Sequence, residues 1–358
     1  MMSSEIPRDV HFIGSIQAPD TSTAMDMILR GAEGLQLNTI PDGETGNRQW
    51  WVGRVIYGQY RNPNLELLRD GKLSSYDDVP VFGVRQGQQL TPDSLGLDFT
   101  SQIPESNRIR QEKLNEYGRQ DIPLQVGIIN PVDSALFSMG IEGAKYIETF
   151  AKATQKEIRN TWELLGPNGV MQIESPAALR AAMGTSDIPK GFTVEEAMRW
   201  VGRLAGDSPK GSRFIVHLCL GDMNGETLTG HPLTDGTTVV RAAKALMRYW
   251  PTSRPAPEQV HFPVAGGRDE PLLDTKIYAG LRGLRNALPP ETRIAAGIAH
   301  EGDMHDPEGS FARQREALRL VEHAVGPVSV AAACGIARGR TAEATVRVIE
   351  QMAKLARS

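Results

Sequence analysis

Residues 213–220 read Arg-Phe-Ile-Val-His-Leu-Cys-Leu. A nearly unbroken apolar run of this length suits a parallel strand covered on both faces. Side chains two apart on a strand share a face, so His217 and Cys219 point the same way. Outward from this stretch the same grammar recurs. Strands are expected at Val10–Ser15, Leu37–Glu44, Leu124–Ile129, Val170–Pro176, Arg213–Leu220, Gln259–Ala265, Arg293–His300 and Val328–Gly335. Helical patterns lie between them at Thr21–Gly34, Gly143–Leu165, Val194–Ala205, Thr237–Trp250, Pro271–Leu288, Ser310–Val325 and Thr341–Ala356. Asp20 and Thr193 stand where N-caps belong. Strand and helix alternating eight times in one chain predicts an α/β fold, a single (β/α)8 TIM barrel. A doubly wound open sheet is the alternative, but no GxGxxG follows the first strand.

The chain has 358 residues, 40% hydrophobic and 23% charged, the balance of an ordinary globular protein. A net charge of -4 gives no electrostatic ground for nucleic-acid binding. No apolar run approaches the ~18–20 residues that span a bilayer. The start, Met1-Met2-Ser3-Ser4-Glu5, shows no basic segment leading into an apolar one. The expectation is a cytoplasmic protein with neither membrane nor nucleic-acid partner; nothing in the sequence indicates its oligomeric state. With only two cysteines, Cys219 and Cys334, a disulfide framework is not expected.

The whole chain, 1–358, reads as one barrel domain. One region breaks its rhythm: Thr45–Pro123, between the second and third strands, is far longer than a normal connection. It contains Trp50, Trp51, Tyr57 and Tyr60, and Val79–Val84 resembles a short strand. It is expected to be an insertion near the active-site mouth, where the tryptophans could stack on a flat donor. A flexible surface loop is the alternative.

Active sites of (β/α)8 proteins lie at the C-terminal ends of the strands. Polar residues collect there: Gly14-Ser15, Asp42-Gly43-Glu44, Glu174-Ser175, His217 and Cys219, His300, and Cys334. One imidazole and two thiolates are a zinc donor set that leaves a position for water or substrate. The plainer alternative is a packed histidine and two small buried thiols.

Together these motifs resemble the catalytic C-terminal barrel of the cobalamin-independent methionine synthase family, within the superfamily shared with uroporphyrinogen decarboxylase. Phe12-Ile13-Gly14-Ser15 is similar to that family's opening Ile-Gly-Ser strand, and Asp42-Gly43-Glu44 to its His-Gly-Glu. Gln172-Ile173-Glu174-Ser175-Pro176-Ala177 is similar to Gln-Ile-Asp-Glu-Pro-Ala, His217-Leu218-Cys219 to His-Met-Cys, and Cys334-Gly335 to the end of Asp-Cys-Gly. The resemblance implies Zn2+ held by His217, Cys219 and Cys334. It further implies a substrate contacted by Gly14, Ser15, Glu44 and Glu174, and His300 as the acid, with His305 as the alternative.

The departures are as informative. The family's zinc-binding glutamate on strand six is replaced by the apolar Val264-Ala265. The fourth ligand is then His261, Asp222, Glu226, or a substrate thiolate or water. The Asp-Glu pair has become Glu174-Ser175, and no lysine-rich groove suggests folate. The resulting expectation is a zinc-dependent methyl- or alkyltransferase, methionine synthase-like, acting on homocysteine or a related small thiol with a methyl or alkyl donor. The alternatives are a metal-free small-molecule binding barrel and a uroporphyrinogen decarboxylase-like decarboxylase. The last needs clustered N-terminal arginines, whereas only Arg8 and Arg30 precede Arg48.

Overall fold

The structure is a computed structural model that describes residues 8–119, 122–183 and 192–358, without the side chains of residues 51 and 52. The N-terminal pentapeptide read above and the side chain of Trp51 therefore lie outside the described residues. Eight parallel strands form one sheet: β1 (Val10–His11), β2 (Ile40–Pro41), β3 (Leu124–Ile129), β4 (Gly169–Glu174), β5 (Arg213–His217), β6 (Gln259–Pro263), β7 (Arg293–Ala299) and β8 (Ser329–Ala332). Their order is β1-β8-β7-β6-β5-β4-β3-β2, with no reversal of the kind a doubly wound sheet requires. Val10 also bridges Leu37 in parallel, and its N–H donates to Gln36 O at 3.0 Å, so the two edges of the sheet meet. This curled α/β sheet is consistent with a TIM-like barrel.

Each strand is shorter than, or offset from, its expected span, except Leu124–Ile129, which matches. Strand five stops at His217 and strand eight at Ala332. Cys219 and Cys334 thus lie just past the last ladder residues rather than on strands. The cause is local: the chain turns at Gly221, whose φ is +79°, and the β8 register already shifts at Ala331/Ala332. The expected helix at 271–288 breaks into Thr275–Gly280 and Leu284–Ala287 with a 3-10 turn between them. Two short helices, Pro131–Met139 and Pro176–Met183, follow β3 and β4 directly.

The main core is the outward strand face packed against the flanking helices, for example Val216, Val260, Ile294 and Val330 against Ala197, Ala243, Leu318 and Val348. Asp20 and Thr193 cap their helices by accepting from Thr23 N and Glu196 N. Between β2 and β3 the described chain forms the helices Trp51–Gly58, Pro92–Leu95 and Ile103–Glu116 and a hairpin, Leu65–Arg69 with Val81–Val84. Val55, Leu65, Phe82 and Leu95 share a second buried apolar cluster with Ile129, Phe150 and Met223. No helix among the described residues is long and apolar enough to cross a membrane.

Candidate metal centre and substrate cleft

His217, Cys219 and Cys334 converge. Their donor atoms lie within 4.8 Å of one another, and all three residues are buried. The Sγ atoms of Cys219 and Cys334 are 3.6 Å apart. Two sulfurs at ~2.3 Å on a tetrahedral zinc are separated by about 3.8 Å, so the pair fits one edge of that coordination figure. Cys219 Sγ accepts from Gly221 N at 3.1 Å, and Cys334 Sγ from Arg338 Nη1 at 3.7 Å. The Cys219 thiol and the Arg338 guanidinium hold Cys334 well below the usual thiol range, while Cys219, which shares the proton, is pushed up.

The imidazole completes the set. His217 Nδ1 lies 2.6 Å from His261 Nδ1, whereas His217 Nε2 is buried with no hydrogen-bond partner. Nε2 is the nitrogen of that ring left free to join the two sulfurs on an ion, and one imidazole with two thiolates fits zinc.

His261 is not placed as a fourth ligand, since its Nδ1 faces His217 and its Nε2 lies 3.1 Å from Ala332 O. Val264 and Ala265 at the end of strand six are buried and offer no donor. Asp222 stands outside the three-residue cluster, and its Oδ2 lies 3.6 Å from Arg340 Nη1. Its Oδ1 is buried and unpartnered, and burial pushes its carboxyl up to about 7. Glu226 is tied to Arg268 at 3.5 Å on the surface.

A cleft of about 470 Å³ opens on Cys219, lined by Glu174, Asp222, Arg338, Trp50, Tyr76 and Phe137 among others. Tyr76 comes from the segment between β2 and β3. Its hydroxyl donates to Glu226 O at 3.3 Å and accepts from Met223 N at 3.1 Å, which ties the hairpin region to the loop after β5. Arg338 donates from Nε to Gln49 O at 2.9 Å. Burial works against its charge, but Cys334, Glu44, Asp222 and Glu174 outweigh that and raise its pKa.

Glu174 Oε1 accepts from Gln172 Nε2 at 3.0 Å. Glu44 is held at φ +43°, an unusual conformation for a residue with a side chain, and its N–H donates to Asp42 Oδ1. Burial and then the Glu174 charge raise the Glu44 carboxyl well above its ordinary range, and burial raises Glu174. Glu44 lines a separate cleft of about 650 Å³ with Asp42, Arg48 and Gln125. Gly14 and Ser15 share a cavity of about 180 Å³ with Cys334, and Ser15 Oγ is buried without a partner.

His300 is buried outside the Cys219 cleft. Its Nδ1 accepts from Gly302 N at 3.1 Å, and its Nε2 lies 3.4 Å from Glu301 Oε2. Glu301 pairs with Arg340 at 2.8 Å, and Arg340 faces Asp222, so one chain of charged groups links His300 to the cleft. Burial lowers the His300 pKa. His305 is exposed. Tyr76 carried no sequence signal, because its place depends on its hairpin packing against the loop after β5, about 150 residues away in sequence. Arg338 was visible only as one of two arginines following Cys334.

No protein-family profile matches the chain, and no curated relative does. Solved structures share the fold. A Listeria monocytogenes protein assigned as a vitamin-B12-independent methionine synthase aligns over 98% of this chain and 97% of its own, with a TM-score of 0.55 and 14% identity. A B12-independent methionine synthase from Shewanella sp. W3-18-1, in complex with selenomethionine, aligns over 98% of each chain, with a TM-score of 0.55 and 11% identity. A methyltransferase from Methanosarcina mazei aligns over 98% of this chain and 94% of its own, with a TM-score of 0.53 and 12% identity.

Proposed function

We propose that the chain is a zinc-dependent methyl- or alkyltransferase acting on a small thiol, methionine synthase-like in architecture. The convergence of His217, Cys219 and Cys334, with His217 Nε2 left bare, carries this reading. The fold shared with two methionine synthase-like structures and a methyltransferase supports it. We read 1–358 as one barrel domain with 45–123 as an insertion walling the mouth, a role Tyr76 fits.

His217, Cys219 and Cys334 would hold the ion. Bound zinc would convert a substrate thiol to its thiolate, a far better nucleophile at neutral pH than a thiol of pKa ~8.5. The fourth position is left to that substrate sulfur or to water, since strand six supplies no ligand. Glu44 and Glu174 would anchor a substrate ammonium group, and Arg338 an acidic group, by charge-assisted hydrogen bonds. Gly14 and Ser15 would line the same substrate. His300 is the candidate acid for a leaving amine; buried outside the Cys219 cleft, it would act only on a leaving group that comes within hydrogen-bond reach of its imidazole. Homocysteine or a related thiol fits this set; a methyl folate is one donor among those to be screened.

The decarboxylase reading lacks its arginines: Arg8 is paired with Glu322 at 2.6 Å and Arg30 with Asp26 at 2.8 Å, both away from the cleft. The test is the metal content of protein purified without added metal or chelator, beside Cys219→Ser and Cys334→Ser. About one zinc per chain, lost in both variants, is expected. Folded protein that neither carries zinc nor takes it up from buffered solution would leave the metal-free binding barrel.

A further inference from the structure

Strands β5 and β6 are in register at His217 and His261, so both imidazoles project from neighbouring ladder positions. The backbone reinforces that register, with Leu218 N donating to His261 O at 2.9 Å. The two polar contacts of these rings form one directed chain. Ala332 O can only accept, so His261 Nε2, 3.1 Å away, carries a hydrogen. In the neutral ring His261 Nδ1 is then bare and can only accept. His217 Nδ1, 2.6 Å from it, must therefore be the donor. The chain ends on His217 Nε2 with its lone pair free; this is the ring nitrogen that is buried and unpartnered, in the side chain that converges with the two sulfurs.

We infer that His261 is a positioning residue: it fixes His217 as the Nδ1–H tautomer and thereby presents bare Nε2 to a metal ion. This rests on the zinc reading above. The fold makes room for the arrangement. A Cβ on Gly297 would sit 2.9 Å from His261 Nε2 and 2.8 Å from Ala332 O, so only glycine lets these two atoms meet. His261 thus does the work of an outer partner that orients a ligating histidine, here supplied by the neighbouring strand rather than by a carboxylate. Ala332 is two residues before Cys334, so the same chain couples the imidazole on β5 to the segment carrying the second thiolate.

The experiment has two arms. In the first, nitrogen-15 ring spectra of histidine-labelled, metal-free protein at pH above 7 report the tautomer of His217, assigned by loss of its signals in His217→Gln. The expected result is a proton on Nδ1 and none on Nε2; a proton on Nε2 overturns the inference. In the second, zinc affinity is measured by competition with a chelator. His261→Leu should bind zinc about 10–100-fold more weakly. His261→Gln should recover most of that loss, because a carboxamide can accept from His217 Nδ1 and donate to Ala332 O. Affinity within twofold of wild type in His261→Leu, or no recovery in His261→Gln, overturns the inference. If His261→Leu does not fold, the wild-type spectrum decides. If wild-type protein binds no zinc, the transferase reading fails while the spectrum still decides the role of His261.

Discussion

Gly14 faces the carboxylate of Glu44 so closely that a Cβ at position 14 would fall 2.6 Å from Oε1, 2.8 Å from Cδ and 2.9 Å from Oε2. The Glu44 backbone cannot yield readily, since it already sits at φ +43° and is held by Gly43 O accepting from Ile16 N. The side chain must therefore rotate. Gly14→Ala should cost about 1–3 kcal/mol of stability by overpacking. It should also weaken binding of an amino-bearing thiol by about 10-fold or more, the worth of one charge-assisted hydrogen bond. Zinc content should not change. Calorimetric titration of zinc-loaded protein with homocysteine, beside Glu44→Gln, checks this; equal affinity in both variants and wild type would remove Glu44 from the substrate site.

Asp133 predicts a pH dependence. It is buried after β3 and accepts from Ala177 N at 2.8 Å and Ser175 Oγ at 3.1 Å, which fixes the chain just past Glu174. Burial raises its carboxyl from 3.8 to about 7. The folded chain therefore keeps a proton that the unfolded chain releases near pH 3.8. That contribution to stability is full below pH 3.8 and is lost as pH rises toward 7. Asp133→Asn, which imitates the protonated acid, should flatten the profile over that window, by at most on the order of 4 kcal/mol. Denaturant unfolding at pH 5, 6 and 7 reads it; a wild-type slope unchanged in the variant would show that Asp133 is ionised throughout.

Arg340 holds two acids in place. Its side chain is 7% exposed; it lies 2.8 Å from Glu301 and 3.6 Å from Asp222, and it also donates to Gly267 O. Arg340→Met leaves Glu301 without its arginine and Asp222 with Arg338 alone, and should cost about 3–5 kcal/mol. Arg340→Lys should recover part of this. Thermal unfolding of the three proteins measures it, and a Met variant as stable as wild type would mean that Asp222 and Glu301 are neutral in the fold.

The two sulfurs predict a redox result. From 3.6 Å, Cys219 and Cys334 need approach only to about 2.05 Å to bond. In chelator-treated protein, hydrogen peroxide should take one hydrogen from each thiol, leaving a Cys219–Cys334 disulfide and water. Intact-mass spectrometry should show the loss of about 2 Da, and saturating zinc should suppress it. Two thiols that remain titratable after peroxide treatment without zinc would show that the sulfurs cannot close.

The apolar runs made most of the fold legible, because a parallel strand buried on both faces leaves little room for polar residues. The His/Cys/Cys cluster was legible for the same reason: His217, Cys219 and Cys334 interrupt those runs at their ends. Strand ends were less so, since Gly221 and the shift at Ala331/Ala332 stop the ladders before the cysteines. The helix Pro131–Met139 was missed although Asn130 caps it by accepting from Val132 N and Pro131 opens it; its brevity hides the periodicity. His261 read as a possible ligand, and only its contacts with His217 Nδ1 and Ala332 O show that both its nitrogens are already engaged. Tyr76 needed the packing of a hairpin onto the loop after β5, a relationship between segments that no local pattern carries.

The separation of the ligands along the chain bears on the order in which the protein can be built. His217 and Cys219 are made together, but Cys334 belongs to the turn after the last strand of the sheet. During synthesis an ion bound as proposed could meet only His217 and Cys219 until the eighth strand has been made. A complete site of this kind would therefore report a closed sheet: it could form only once the eighth strand takes its place beside the first.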